Sequence, residues 1–199
     1  MQWTNTKVRF GAVHMSLHWV IALAFIAMLA IGFIMTSLPF RDPLTYPLFQ
    51  FHKSLGLTVL ALVVLRIVWR STNVVPSLPV DLKAYEKGLA HLTHYGLYAA
   101  LLVMPLSGWA MISASSRGIP TEFFGLFEVP KIGFIASSPD KQWIEGVAED
   151  VHATAAWVAI ALIALHVAAA LFHHVVRRDN VLARMTPGLA LRAEKETER

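Results

Sequence analysis

The sequence contains no cysteine. That excludes disulfides, thiolate ligation of an iron–sulfur cluster and the C-x-x-C-H attachment of a c-type haem. Charge is scarce as well: 15% of the residues are Asp, Glu, Lys or Arg, against about 25% in an ordinary soluble domain. Where charge is missing says more than how much is missing. None of those four residue types occurs in residues 10–40, 88–116 or 151–176. Each gap exceeds the roughly 20 residues needed to cross about 30 Å of hydrocarbon. The absence of Asp and Glu from these runs argues against a proton- or cation-coupled transporter, which needs such groups within the membrane.

What is present is apolar: 56% of the 199 residues are hydrophobic, and the mean hydropathy is +0.54. A fourth apolar stretch, 49–69, is interrupted by Lys53 and Arg66, yet its core LGLTVLALVVL matches the others. The pattern predicts an all-α membrane protein, a four-transmembrane-helix bundle with helices near 15–37, 49–69, 89–112 and 151–176. Lys7 and Arg9 precede the first run as in a signal peptide. That run is too long for an h-region and lacks an A-x-A site, so it is expected to remain as a helix.

Of the seventeen Lys and Arg residues, twelve fall in the N-terminus, the second connection and the C-terminus. The other five, Arg41, Lys53, Arg117, Lys131 and Lys141, fall on the opposite side. By the positive-inside rule both termini are expected to be cytoplasmic. The pI of about 9.6 is then a signal of topology, not of nucleic-acid binding. Residues 1–187 are expected to form the transmembrane domain and 188–199 a solvated cytoplasmic tail. The second connection, 71–87, is broken by Pro76 and Pro79. The third, about 113–150, is long, should face the periplasm, and carries the aromatic segment GIPTEFFGLFEVPKIGF, a candidate for lying along the interface.

The greasiest segment also carries histidines. DVHATAAWVAIALIALHVAAALFHH, residues 150–174, holds His152, His166, His173 and His174. His152 and His166 lie close to four helical turns apart, so they share a face and stand about 21 Å apart along the axis. Sorting the remaining histidines by depth pairs His52 with His152 toward the periplasm. It pairs His18 with His166 toward the cytoplasm, with His94 as the rival for the place of His18. Bis-imidazole ligation of two haem irons would suit such pairs, because it allows one-electron cycling with little rearrangement. Arg66 follows His52 at the same interval on the same face, and is placed for a haem propionate. Gly32, Gly56 and Gly108 recur at matching heights, where a flat macrocycle would need a close backbone. Plainer readings exist for each: a lone intramembrane histidine more often bonds between helices, Arg66 can snorkel to headgroups, and glycines often only pack. The combination of four histidines pairing by depth on three helices favours iron. His173, two turns beyond His166, reads either as part of an interfacial pair with His174 beside Arg177 and Arg178, or as a proton relay to a quinone carbonyl.

Several stretches carry a resemblance: SLHW (16–19), FHKSLG (51–56), VVLRIVWR (63–70), GLAHLTHYGLY (88–98), MPLSGW (104–109), and the helix-four run continuing into RRDNVLARMTP. Over roughly residues 9–187 the chain resembles the bacterial cytochrome b561 family of four-helix inner-membrane proteins. The resemblance implies two non-covalent b haems ligated by His18, His52, His152 and His166. It also implies electron exchange with ubiquinone at the cytoplasmic end, with His173 as the contact. Some family members are similar to a superoxide oxidase that passes electrons from superoxide to ubiquinone. Related cytochrome b subunits of hydrogenases and formate dehydrogenases anchor a redox partner.

The leading expectation is therefore a membrane oxidoreductase moving electrons between a periplasmic donor, superoxide, and ubiquinone. The alternative is a cytochrome b anchor subunit docking a periplasmic redox protein. A non-haem bundle using the same histidines to carry a metal is a third reading. Lys53, Arg117, Lys131 and Lys141 are candidates for steering superoxide, although Glu122, Glu128, Asp140, Glu145, Glu149 and Asp150 share that side.

Overall fold

The computed structural model describes residues 2–77 and 82–191. Pro79 and most of the expected tail lie outside these residues. Four long helices dominate: α1 (Ala12–Ser37), α2 (Thr45–Thr72), α3 (Ala84–Ala114) and α5 (Lys141–Phe172). The last continues through a π-helical turn, His173–Arg177. All four are long and apolar enough to cross a membrane. Their outward faces carry exposed Leu23, Ile26, Ile34, Val64, Leu65 and Val167, a surface a soluble protein would not tolerate and lipid would cover.

Local chemistry sets the helix ends. Leu38 is extended because Pro39 follows it, which stops α1. α3 starts at a capping interaction in which the Lys83 N–H donates to Glu86 Oε2 at 2.8 Å. α5 begins ten residues before the apolar run. Its first turns carry Glu145, Glu149 and Asp150 and extend beyond the hydrocarbon. The third connection is therefore shorter than expected: it holds an antiparallel hairpin of β1 (Glu122–Phe123) and β2 (Phe127–Glu128), then the one-turn α4 (Gly133–Ala136). The three-residue turn between Phe123 and Phe127 places Phe124 and Gly125 at positive φ, a conformation that glycine adopts without steric cost.

α1 packs on α2, α2 on α3, and α3 along α5 for most of its length. α1 and α5 approach chiefly through side chains, with the Phe33 and Trp157 rings 5.3 Å apart. The core lies at mid-depth: Ile21, Phe25, Met28, Val59, Val63, Ala100, Met104 and Ala159. The N-terminal segment and the last described residues, up to 191, lie at one end. There the C-terminal segment crosses back under α1, with Trp19 Nε1 donating to the Met185 carbonyl at 2.8 Å and the Arg9 guanidinium to that of Thr186 at 2.9 Å. The hairpin marks the opposite end, called the loop end below.

Candidate functional site

The inward face of α5 runs through His152, Ala155, Ala156, Ala159, Ile163 and His166, a three- and four-residue spacing that keeps them on one stripe. Ala159 sits midway between the two histidines and is fully buried. The mid-depth core thus separates two histidine clusters along the axis. Toward the loop end, the His52 and His152 ring centroids are 6.2 Å apart at 70°. Toward the terminal end, those of His18 and His166 are also 6.2 Å apart, at 73°. His94 lies closer to His166, at 5.3 Å.

These separations test whether a haem fits. Two imidazole–metal bonds of about 2 Å each, plus a ring radius at either end, span about 6 Å. The centroid separations of the His52–His152 and His18–His166 pairs match that span, and the His94–His166 separation falls short of it. His152 is also tautomerically prepared. Its Nδ1 lies 2.9 Å from the Met104 carbonyl, which can only accept, so Nδ1 carries the proton and donates it. The Ser107 hydroxyl lies 3.1 Å from the same nitrogen. That leaves Nε2 with its lone pair, the arrangement a second-shell carbonyl imposes on a metal-binding imidazole. Gly108 makes the approach possible: a Cβ there would stand 3.3 Å from His152 Cε1. A Cβ on Gly32 would stand 3.5 Å from His52 Cε1.

At the terminal end, Arg66 is 9% exposed. Its Nε donates to the Tyr98 hydroxyl at 3.1 Å, while its buried Nη1 has no protein partner among the described residues. A buried guanidinium with an idle donor calls for an anion, and a carboxylate such as a haem propionate fits that need. Sequence reasoning passed over His14. It is fully buried, stacks on Phe10 at 4.4 Å, and leaves Nδ1 without a partner among the described residues. The signal was its place one turn before His18, on the same face.

His173 lies at the start of the π-helical turn. Its Nδ1 is 2.5 Å from Asp179 Oδ2. Asp179 is a second residue the sequence reading left without a role. At the loop end, the Lys53 ammonium donates to the Pro120 carbonyl at 2.6 Å and that of Lys131 to the Ser115 carbonyl at 3.0 Å. Two of the four candidate steering cations are thus tied to the backbone that caps this end.

Fold and facing imidazoles together describe a membrane cytochrome. Comparison with known proteins agrees: the sequence model described as prokaryotic cytochrome b561 matches residues 9–188. The chain belongs to that family. It is 30% identical over 185 residues to cytochrome b561 homolog 2 of Escherichia coli K12, covering 93% of this chain and 95% of the relative. Cytochrome b561 homolog 1 of the same organism is 31% identical over 180 residues, 90% of this chain and 97% of its own. A Yersinia pestis protein named probable superoxide oxidase CybB is 27% identical over 183 residues, 90% of this chain and 96% of its own. Membership makes this a bacterial multi-pass membrane protein that binds b-type haem and transfers electrons.

Proposed function

We propose that the chain holds two haems b and passes electrons across the bilayer between superoxide at the loop end and ubiquinone at the terminal end. One observation carries this reading: two imidazole pairs with the same 6.2 Å separation, whose α5 members share one face of the helix. His52 and His152 would hold the loop-end haem; His18 and His166 would hold the terminal-end haem. Bound haem supplies reversible one-electron oxidation and reduction of its iron.

The protein's part is to hold, orient and insulate. The Met104 carbonyl keeps His152 in the tautomer that binds metal. The apolar layer around Ala159 keeps water from the path between the pairs. Arg66, with His14 beside it, offers donors to a propionate and offsets its charge. Lys53, adjacent to His52, draws an anion to the loop end, and a relative named as a probable superoxide oxidase supports that donor. His173 meets the quinone at the terminal end.

The test is a pyridine haemochrome assay with protein quantitation on detergent-purified material. Two b haems per chain are expected. One would break the pairing, and none after expression with ample haem would remove the cytochrome reading for this chain. A second reading, an anchor subunit docking a periplasmic redox protein, draws on the exposed Leu126, Phe127, Phe134 and Trp143 at the loop end. It predicts a stoichiometric partner on gentle purification, where the first reading predicts none.

A further inference from the structure

The end of α5 departs from α-helical geometry, and the departure brings a carboxylate to His173. The helix widens into the π-helical turn His173–Arg177, a feature that recurs at functional positions. Arg178 then adopts left-handed geometry with φ 57°, and the Asp179 N–H donates back to the His173 carbonyl at 3.2 Å. The chain reverses within two residues. Asp179 is left beside the imidazole it follows by six positions.

The carboxylate is itself held at both oxygens. Oδ2 takes His173 Nδ1, and Oδ1 accepts the Val181 N–H at 3.0 Å. The nearby cation Arg177 is engaged elsewhere, donating to Glu86 Oε1 at 2.7 Å. His173 keeps 16% of its side chain exposed, and Nε2 makes no hydrogen bond among the described residues. One nitrogen is pinned and the other is presented.

We infer that Asp179 is a positioning residue for quinone chemistry: it holds the His173 ring through Nδ1–H and so presents Nε2 to a quinone oxygen. This rests on the proposed role of His173. A carboxylate in this place fixes the ring orientation and keeps a proton on Nδ1. Reduction of a quinone to a quinol takes two electrons, delivered singly from the haem side, and two protons. With the ring protonated at both nitrogens, the Nε2–H bond breaks as the O–H bond forms at the oxygen facing His173. The neutral ring keeps its Nδ1 proton and regains the other from bulk water at the terminal end, and the second quinone oxygen takes its proton from the same water. Asp179 acts through the ring and touches no substrate. In the reverse direction Nε2 accepts the quinol proton, and the same anchoring serves.

The experiment uses purified holoprotein and a soluble short-chain ubiquinone, comparing wild type with Asp179→Asn, Asp179→Glu and His173→Gln. Haem content and dithionite-reduced spectra are read alongside steady-state kinetics. Asp179→Asn should retain its haem, lose about tenfold to a hundredfold in kcat per haem, and leave the KM for quinone nearly unchanged, as expected when orientation and not binding is lost. Asp179→Glu should recover much of that rate. If Asp179→Asn does not accumulate, Asp179→Ser is read in its place with the same expectation. A wild-type rate in the neutral variants beside a slow His173→Gln overturns the role of Asp179 and leaves the quinone reading standing. Wild-type rates in both sets remove His173 from the quinone site altogether. Loss of haem in every Asp179 variant, with kcat per remaining haem unchanged, makes the residue structural and overturns the inference.

Discussion

At the scale of single residues, the choice between His18 and His94 shows what distance adds to spacing. Helical arithmetic left both facing His166, because it gives depth and face but not lateral separation. The ring centroids separate them: 6.2 Å for His18 and 5.3 Å for His94. The longer gap matches the span of two imidazole–metal bonds, and on the proposed pairing His18 is the ligand. His18→Ala should therefore lose one haem and keep the other, whereas His94→Ala should keep both; two haems retained in His18→Ala would reject the pairing. His152→Ala should likewise lose only the loop-end haem. Arg66 was legible because a charge in an apolar run demands an explanation. His14 and Asp179 were not: a histidine at a helix start and an aspartate after a helix end are ordinary features, and only burial and the chain reversal give them weight.

Elements were legible where hydropathy speaks and hidden where it is silent. The four spans announce themselves by missing charge. The first ten residues of α5 do not, since Lys141, Glu145, Glu149 and Asp150 read as loop although they continue the helix. The hairpin is a further case. A Phe-Gly pair is a weaker turn signal than Asn-Gly, and β1 and β2 are two residues each, too short to show alternation. The hairpin exists because α2 holds it. Ser54, fully buried, accepts the Phe124 N–H at 2.9 Å and lies 2.8 Å from the Glu122 carbonyl. Gln50 donates to the Pro120 carbonyl at 3.0 Å. Ser54→Ala leaves two backbone groups of the hairpin unpaired, a cost of about 1–3 kcal/mol. Because the strands are short, that cost should fall locally. Deuterium uptake across 121–129 should accelerate by about tenfold or more while haem content stays the same; unchanged uptake would mean that the hairpin is held by other contacts.

The whole molecule has a direction, and its charge distribution predicts which. At one end the N-terminal segment and the start of α1 are joined through Arg9 and Trp19 to the segment around Met185 and Thr186. In the sequence, twelve of the seventeen basic residues fall in the N-terminus, the second connection and the C-terminus. Short loops rich in Lys and Arg resist translocation, so the terminal end should stay in the cytoplasm, and the hairpin with the His52–His152 pair should face outward. Reporter fusions decide this. Alkaline phosphatase joined after Arg199 should be inactive, and the same enzyme inserted after Ser138 should be active; a green fluorescent protein should show the opposite pattern. The reversed result would place His173 and Asp179 outside and His52 inside. An external superoxide source would then face the wrong imidazole pair, and the proposed electron path would run from the cytoplasm outward. The fusion result therefore bears on function as much as on topology, because the two ends carry different chemistry: Lys53 beside an imidazole pair at one, a histidine held by a carboxylate at the other.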